Sequence, residues 1–260
     1  MLFPIIKTVK LDENVTNYEY HMLNRDLILH YDNSKCIDCG FCHRVCPITI
    51  YKGVELKKTA IGTPKQMKIN SDQKVVCNTD NCVWCGMCTY ICPGYTLELF
   101  IDGQKRNILV ENSVLPEFEE EIRVLDNGQK VRKVVQGSIR ITCTEEDTNI
   151  IDSFTKECAV GALSRAENEI VIDKDQCILC YKCTEASESI EKYKNIKVKV
   201  FRDRFKNVKG EISTVWNGIM SRVLGQEGKI KGIVNYSNNK IADSILRLMG
   251  LDAEKDSEIK

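Results

Sequence analysis

The chain has 260 residues, of which 37 are Lys or Arg and 37 are Asp or Glu, so its formal net charge at pH 7 is zero. This length allows one or two domains, and the balanced charge gives no general attraction to nucleic acid or to an anionic membrane. Because the chain shows neither a secretory signal nor an apolar run long enough to span a bilayer, we expect its 14 cysteines to form no disulfide scaffold and the clustered ones to be metal or redox ligands in the cytoplasm.

The first 30 residues are predicted to be extended. Leu27, Ile28, Leu29 and Tyr31 form a β-prone run that leads directly into the first group of cysteines. We interpret this run as the opening strand of a domain. Residues 1–26 are then an N-terminal extension that covers the edge of a sheet.

Two cysteine runs dominate the first half of the chain. Residues 36–47 read C-x2-C-x2-C-x3-C-P, and the same pattern recurs at residues 82–93. Three thiolates at this spacing can wrap a tight loop around one [4Fe–4S] cubane, and this is the ligand run of bacterial ferredoxins with two clusters. Structural zinc favours paired C-x2-4-C knuckles instead. The two runs therefore predict iron–sulfur clusters.

These runs make residues 27–104 resemble a bacterial-type two-cluster ferredoxin. The resemblance implies a ferredoxin-like β-α-β pseudo-repeat in which the fourth cysteine of each run serves the other cluster. It implies that the first cluster is bound by Cys36, Cys39, Cys42 and Cys92. It implies that the second cluster is bound by Cys82, Cys85, Cys88 and Cys46. The chain departs from the family at residues 57–80, which are interpreted as an inserted hairpin or loop.

Two cysteines stand outside the regular runs. Cys77 lies shortly before the second run and is either a buried structural residue or an alternative ligand or persulfide site beside the cluster. Cys143 follows a predicted strand at residues 138–142, and we expect it to be a core residue rather than a ligand.

The middle of the chain is rich in β-prone residues. Residues 97–101 and 108–110 flank an Asp-Gly pair, and Val124 and Val131 flank Asn127-Gly128, which is a strong hairpin signal. We therefore predict two hairpins and interpret residues 105–137 as a β-hairpin linker.

A third run, C-x2-C-x2-C, spans residues 177–183, and Ser187 stands where its fourth cysteine would fall. Upstream, residues 158–162 read C-A-V-G-A, which resembles the end of a ferredoxin first run with Ala159 in place of Pro. A short helix is predicted over residues 145–156 and a strand over residues 169–173. The positions that would complete a first run hold no thiol.

Residues 138–208 thus resemble a degenerate ferredoxin-like domain that has lost one cluster and kept the other. The resemblance implies that this third cluster is bound by Cys158, Cys177, Cys180 and Cys183. An all-cysteine zinc site built from the same four thiolates is the alternative. Tyr181 replaces the glycine that follows the second cysteine in the other two runs.

The C-terminal segment, residues 209–260, is predicted to contain helices followed by a charged tail. Apolar residues recur there at helical spacing between residues 211 and 250. These stripes either pack on the rest of the chain or form a docking surface for a partner.

The predicted fold class is α+β, with a two-cluster ferredoxin-like domain, a degenerate one-cluster domain, hairpins between them and a helical C-terminal segment. The chain has no glycine-rich nucleotide loop and no nucleophile paired with a base. It resembles polyferredoxin-type subunits of anaerobic hydrogenases, formate dehydrogenases and formylmethanofuran dehydrogenases. This predicts a non-catalytic subunit with three [4Fe–4S] clusters that relays single electrons to redox protein partners, including a catalytic subunit.

Two other functions are compatible with the same residues. The chain could be an oxidoreductase whose own active site lies outside the cysteine runs. It could also be a non-redox iron–sulfur interaction or sensor protein in which clusters act as structural staples. Reversible reduction of every cluster distinguishes the electron relay from the sensor, and turnover by the isolated chain distinguishes the enzyme.

Overall fold

The computed structural model describes residues 3–46, 49–51, 54–57, 59–118, 121–205 and 208–209. The helices expected after residue 210 lie outside these ranges. The described chain is a mixed α and β structure made of several small antiparallel sheets and short helices. Within it, no helix combines the length and the apolar character that a bilayer-spanning segment requires.

The elements follow one another in a β-rich order. The strands are β1 (Ile5–Lys10), β2 (Val15–His21), β3 (Asp26–Asp32), β4 (Thr49–Tyr51), β5 (Val54–Lys57), β6 (Ile61–Gly62), β7 (Val76–Cys77), β8 (Leu97–Ile101), β9 (Gln104–Lys105), β10 (Glu117–Phe118), β11 (Ile122–Val124), β12 (Lys130–Arg132), β13 (Val135–Cys143), β14 (Leu163–Ala166), β15 (Glu169–Ile172), β16 (Ile196–Phe205) and β17 (Val208–Lys209). The helices are α1 (Phe41–Val45), α2 (Pro64–Met67), α3 (Met87–Ile91), α4 (Ile108–Glu111), α5 (Thr148–Thr155) and α6 (Lys182–Ser189).

The largest sheet has five antiparallel strands in the order β1-β2-β3-β8-β9. The opening strand predicted before the first cysteine run is confirmed as β3, and the N-terminal extension adds β2 and β1 to its edge. In β8, Leu97, Leu99 and Ile101 are buried and alternate with half-buried residues. This period of two places one face of the sheet on a core that also contains cysteines from the first two runs.

The segment predicted as an insertion, residues 57–80, contains a short hairpin formed by β6 and β7. Several of its apolar residues are buried, among them Ile61, Val76 and Cys77. Helix α2 between the two strands starts with a capping box at Thr63. The segment therefore contributes to the core beside the cysteine loops.

One of the two predicted hairpins differs from the structure. The Asp102-Gly103 turn leads into β9, but residues 108–110 form helix α4 instead of a strand. The reason is local: the Glu111 carboxylate accepts hydrogen bonds from the Asn107 amide at 2.8 Å and from Arg106 Nε at 2.7 Å, which closes a helical turn. The second hairpin, β11 with β12 around Gly128, is confirmed.

The C-terminal part of the described chain is organised by a long antiparallel pair, β13 with β16. Helix α5 and strand β15 lie between them in sequence and confirm the predicted helix and strand. A core of apolar residues joins this part to the first half, because Phe41 and Met87 belong to the same buried cluster as Phe154 and Ile178. The two cysteine-containing parts are thus packed directly against each other.

Candidate metal centres

The three C-x2-C-x2-C loops share one backbone conformation. Each has a left-handed residue two positions after its first cysteine, namely Asp38 (φ 51°), Trp84 (φ 55°) and Leu179 (φ 57°). Each has another immediately after its second cysteine, namely Gly40 (φ 71°), Gly86 (φ 74°) and Tyr181 (φ 71°). Each loop then passes directly into a short helix. The third run therefore folds like the first two, even though a tyrosine occupies the left-handed position that favours glycine.

This conformation turns backbone amides toward the sulfur atoms. The first cysteine of each loop accepts a hydrogen bond from the amide two residues on; the pairs are Asp38 to Cys36, Trp84 to Cys82 and Leu179 to Cys177. The second cysteine does the same; the pairs are Phe41 to Cys39, Met87 to Cys85 and Lys182 to Cys180. Such N–H donors stabilise negative charge on sulfur and are a main means by which a protein tunes a cluster.

The fourth cysteine of each set comes from outside its own loop. The amides of Cys46, Cys92 and Cys158 each donate to the carbonyl three residues earlier, over 3.3, 3.4 and 3.2 Å. Cys92 Sγ then accepts from the Thr96 amide, and Cys158 Sγ from the Ala162 amide, both over 3.3 Å. Cys46 Sγ instead accepts from the amide of Ala60, over 3.1 Å. The amide donor to Cys46 Sγ therefore comes from a residue further along the chain than the donors to Cys92 and Cys158.

The twelve cysteines of the three predicted sets line three separate cavities. Site 1 is lined by Cys36, Cys39, Cys42 and Cys92. Site 2 is lined by Cys46, Cys82, Cys85 and Cys88. Site 3 is lined by Cys158, Cys177, Cys180 and Cys183. In sites 1 and 2 the fourth thiol comes from the opposite run, which is the crossed arrangement that the ferredoxin resemblance implies.

The thiols are held in an environment that disfavours isolated thiolates. Burial raises the pKa of Cys85 to about 12 and that of Cys180 to about 11, and neighbouring thiolates of the same site add to both shifts. Burial raises the pKa of Cys39, Cys42 and Cys88 well above the usual range. A coordinated thiol is deprotonated outright because the metal supplies the compensating charge. Four thiols around one cavity, with amide donors to their sulfur atoms, therefore fit a cationic iron–sulfur core.

The thiols of each site are spread around a cavity. In the described part of the chain, no three His, Cys, Asp or Glu side chains form a group suited to one metal ion. A [4Fe–4S] cubane has no need of that convergence, since each of its four thiolates binds a different iron atom.

Site 1 has contacts with each of the other two sites. Thiols of sites 1 and 2 interact electrostatically through Cys42 and Cys88, whereas sites 1 and 3 interact through Cys39 and Cys180. The loops of sites 1 and 3 are also joined by an ion pair between Lys182 and Asp38. Site 1 is thus adjacent to both of the other sites.

The two remaining cysteines differ in their surroundings. Cys77 is 5 % exposed, forms a side-chain hydrogen bond with Cys82, and interacts with the thiols of Cys46 and Cys88. It is a fifth thiol beside site 2. Cys143 is half-buried at the end of β13, lines none of the three cavities, and has its Sγ 3.9 Å from the carbonyl oxygen of Glu145.

Sequence patterns did not reveal two other groups at these sites. The Ala60 amide reaches Cys46 from a distant position, and no local spacing indicates it. Arg202 in β16 is fully buried between the loops of sites 1 and 3. Only the alternation of β16 gives a signal, because Val198, Val200 and Arg202 occupy the same inward face.

Two comparisons with known proteins found similarity, one to a sequence family and one to a solved structure. Residues 35–95 match the family model of the 4Fe-4S dicluster domain, and this range contains the eight cysteines of sites 1 and 2. No curated protein matches the chain. A solved chain of the formate dehydrogenase, heterodisulfide reductase and formylmethanofuran dehydrogenase complex from Methanospirillum hungatei has a similar fold, with a TM-score of 0.60 and 18 % identity. The match covers 86 % of this chain and 92 % of that chain. Residues 35–95 are therefore similar to a 4Fe–4S dicluster domain, within a chain whose fold is similar to that of a chain in this complex.

Proposed function

We propose that the chain is an electron-transfer subunit that carries three [4Fe–4S] clusters and relays single electrons within a larger oxidoreductase. The observation that carries this proposal is the set of three cavities, each lined by four cysteines. A [4Fe–4S] cluster accepts and releases one electron at a time. Because site 1 is adjacent to both of the other sites, the arrangement suits electron transfer between neighbouring clusters.

The chain's own residues have three tasks in this function. The cysteines of sites 1, 2 and 3 act as thiolate ligands, with Cys46 and Cys92 crossing between the first two sites. The backbone amides that donate to sulfur, such as those of Ala60 and Thr96, stabilise the extra negative charge of a reduced cluster. Apolar neighbours such as Phe41 and Ile178 are fully buried and limit the access of water, which also affects the potential.

The third cluster rests on the likeness of the three loops. The loop at residues 177–183 repeats the two left-handed positions of the dicluster loops, and Cys158 repeats the amide contact of Cys92. A structural zinc site has no need of this pattern, because zinc takes four ligands at a single ion. We therefore assign site 3, within the degenerate ferredoxin-like part at residues 138–208, to an iron–sulfur cluster.

The partner class follows from the fold likeness. The similar solved chain belongs to a complex whose title names formate dehydrogenase, heterodisulfide reductase and formylmethanofuran dehydrogenase. We propose that the present chain serves a catalytic subunit of the hydrogenase or dehydrogenase type, in the cytoplasm of an anaerobic cell. In this assignment the chain itself binds no substrate.

The test is a reductive titration of the anaerobically reconstituted full chain, followed by electron paramagnetic resonance. The proposal predicts three clusters that are reduced and reoxidised reversibly, and no turnover by the chain alone. Clusters that hold the fold together but resist reversible reduction would favour the sensor function. Turnover of formate or hydrogen by the isolated chain would favour the enzyme. Either outcome would overturn the relay.

A further inference from the structure

Arg202 is the largest fully buried side chain among the described residues, and 1 % of it is exposed. Strand alternation brings it inward, because Val198 and Val200 point to the same side and are buried as well. A core strand normally places an apolar residue at such a position. Burying a guanidinium there is costly unless other groups compensate the charge.

The guanidinium lies between two aromatic rings from two different cysteine loops. Its Cζ atom is 4.0 Å from the ring centroid of Tyr181 in the loop of site 3 and 4.5 Å from that of Phe41 in the loop of site 1. Its Nε donates to the carbonyl of Leu179 over 2.6 Å, again in the loop of site 3. These contacts fix the cation between the two loops.

This arrangement explains why the third loop has a tyrosine at residue 181. Tyr181 occupies the left-handed position that is glycine in the other two loops, at φ 71°. A non-glycine residue there costs free energy, but glycine would leave Arg202 without its nearer ring. The hydroxyl of Tyr181 also donates to the carbonyl of Val200 over 3.2 Å, which ties the loop to the strand that carries Arg202.

Other charged groups face the same junction. The Cζ atom of Arg44 lies 5.1 Å from the ring centroid of Tyr181, and Arg44 pairs with Glu185 over 3.6 Å. Lys182 pairs with Asp38. These pairs are partly exposed, so solvent screens them. Arg202 is buried, and its guanidinium interacts electrostatically with the thiols of Cys180 and Cys39, one from each site.

We propose that Arg202 is a buried cation whose charge raises the reduction potentials of the clusters at sites 1 and 3 relative to that at site 2. The inference rests on the proposed relay. Four thiolates make an iron–sulfur cluster negative, and reduction adds one more negative charge. A fixed cation stabilises the reduced state more than the oxidised state. Arg202 thereby directs electrons from site 2 toward sites 1 and 3.

The experiment is a redox titration of the full chain, monitored by paramagnetic resonance, with Arg202→Met. Methionine fills similar space without a buried polar group, so the variant is expected to fold and to keep its iron. A unit charge about 10 Å away at an effective dielectric constant of about 20 changes a one-electron equilibrium on the order of tenfold. We expect the ratio of reduced to oxidised cluster at sites 1 and 3 to fall about tenfold at fixed potential, which corresponds to about 59 mV for one electron.

Two variants serve as controls. Arg202→Lys keeps the charge and is expected to retain most of the unmodified potentials. Arg44→Gln removes a cation from the same junction that is partly exposed, so we expect less than about a twofold change. In both titrations, site 2 is the internal reference and is expected to shift least.

The outcomes separate this inference from the proposed function. If no cluster of the unmodified chain is reversibly reduced, the relay itself fails. If all three are reduced but Arg202→Met titrates like the unmodified chain, the relay stands and the role of Arg202 is overturned. If Arg202→Met loses iron, the unmodified chain provides the test instead. The role of Arg202 requires sites 1 and 3 to be reduced at a higher potential than site 2, and the reverse order would overturn it.

Discussion

The amide of Ala162 donates a hydrogen bond to Cys158 Sγ over 3.3 Å. The second run contains the same contact, from Thr96 to Cys92. Cys158 thus sits in the turn that follows the last cysteine of a ferredoxin run, although Ala159 replaces the usual proline. The contact supports Cys158 as the fourth ligand that we propose for the third site.

The crossed arrangement of sites 1 and 2 predicts the effect of Cys46→Ala. Cys46 lines the cavity of Cys82, Cys85 and Cys88, not that of its own run. We expect the variant to lose or convert the cluster at site 2 while site 1 keeps its own. Paramagnetic resonance of the reduced chain measures this, and Cys92→Ala is the matched variant that is expected to damage site 1 instead. Damage to site 1 by Cys46→Ala would reject the crossed scheme.

Cys77 is expected to affect the reduction potential of the cluster at site 2 without being one of its ligands. Its thiol forms a hydrogen bond with Cys82, and removing a partner of a ligand sulfur changes the charge that the sulfur carries. Cys77→Ala should therefore keep about four irons at site 2 and change its reduction potential, while sites 1 and 3 keep theirs. Cys143→Ala is the control with no such contact. Loss of iron from Cys77→Ala would show that Cys77 is itself a ligand.

Gly137 allows β13 to approach β16, the strand that carries Arg202. A Cβ atom at this position would lie 1.9 Å from the carbonyl oxygen of Phe201, which belongs to the backbone and cannot turn away. We expect Gly137→Ala to reduce the free energy of unfolding by more than about 2 kcal/mol, as overpacking does. Chemical denaturation of the anaerobic protein measures the change.

The matched glycine for this comparison is Gly103. It has a φ of 76°, but a Cβ atom there would meet nothing within 4 Å. Gly103→Ala should therefore cost only the left-handed strain, about 1 kcal/mol. Equal losses from the two variants would contradict the close approach of β13 and β16.

The N-terminal sheet carries a pH-dependent contact. His21 lies 2.7 Å from Asp26 and 2.8 Å from Glu19, which also pairs with Lys7 over 3.0 Å. The hydrogen bond with Asp26, followed by that with Glu19, raises the pKa of His21. Because the folded pKa is the higher one, the contribution to stability is complete below the ordinary value of 6.5 and is lost as the pH rises through the folded pKa.

Thermal unfolding at pH 6 and pH 9 tests this contact. The unmodified chain is expected to lose more stability over this interval than His21→Gln does. The same loss in both proteins would show that His21 does not carry the effect.

The cysteine loops could be predicted from the sequence because their information is local. Spacing and backbone conformation act within about a dozen residues, so residues 177–183 indicate their loop even though Tyr181 replaces glycine. Residues 108–110 were predicted as a strand from their apolar side chains alone. They form a helix because the Glu111 side chain accepts a hydrogen bond that closes the turn, and the apolar pattern does not indicate this contact. Propensity is a weak guide when such a contact is present.

The parts that could not be predicted depend on long-range packing. Ala60 reaches Cys46 only after β6 and β7 have paired, and Arg202 reaches Phe41 only when the two halves share a core. A charged residue in an alternating strand is normally assigned to the exposed face. Arg202 is buried because aromatic rings from two other segments pack against it, and those segments are distant from β16 in the sequence.

The central claim is that the chain carries three [4Fe–4S] clusters, and the iron content of the anaerobically purified chain tests it most directly. Three cubanes require about 12 irons per chain. Cys158→Ser should remove about four of them, whereas Cys143→Ser, which alters a cysteine that lines none of the three described cavities, should remove none. About eight irons with one zinc in the unmodified chain would contradict the account, and so would a loss of iron caused by Cys143→Ser alone.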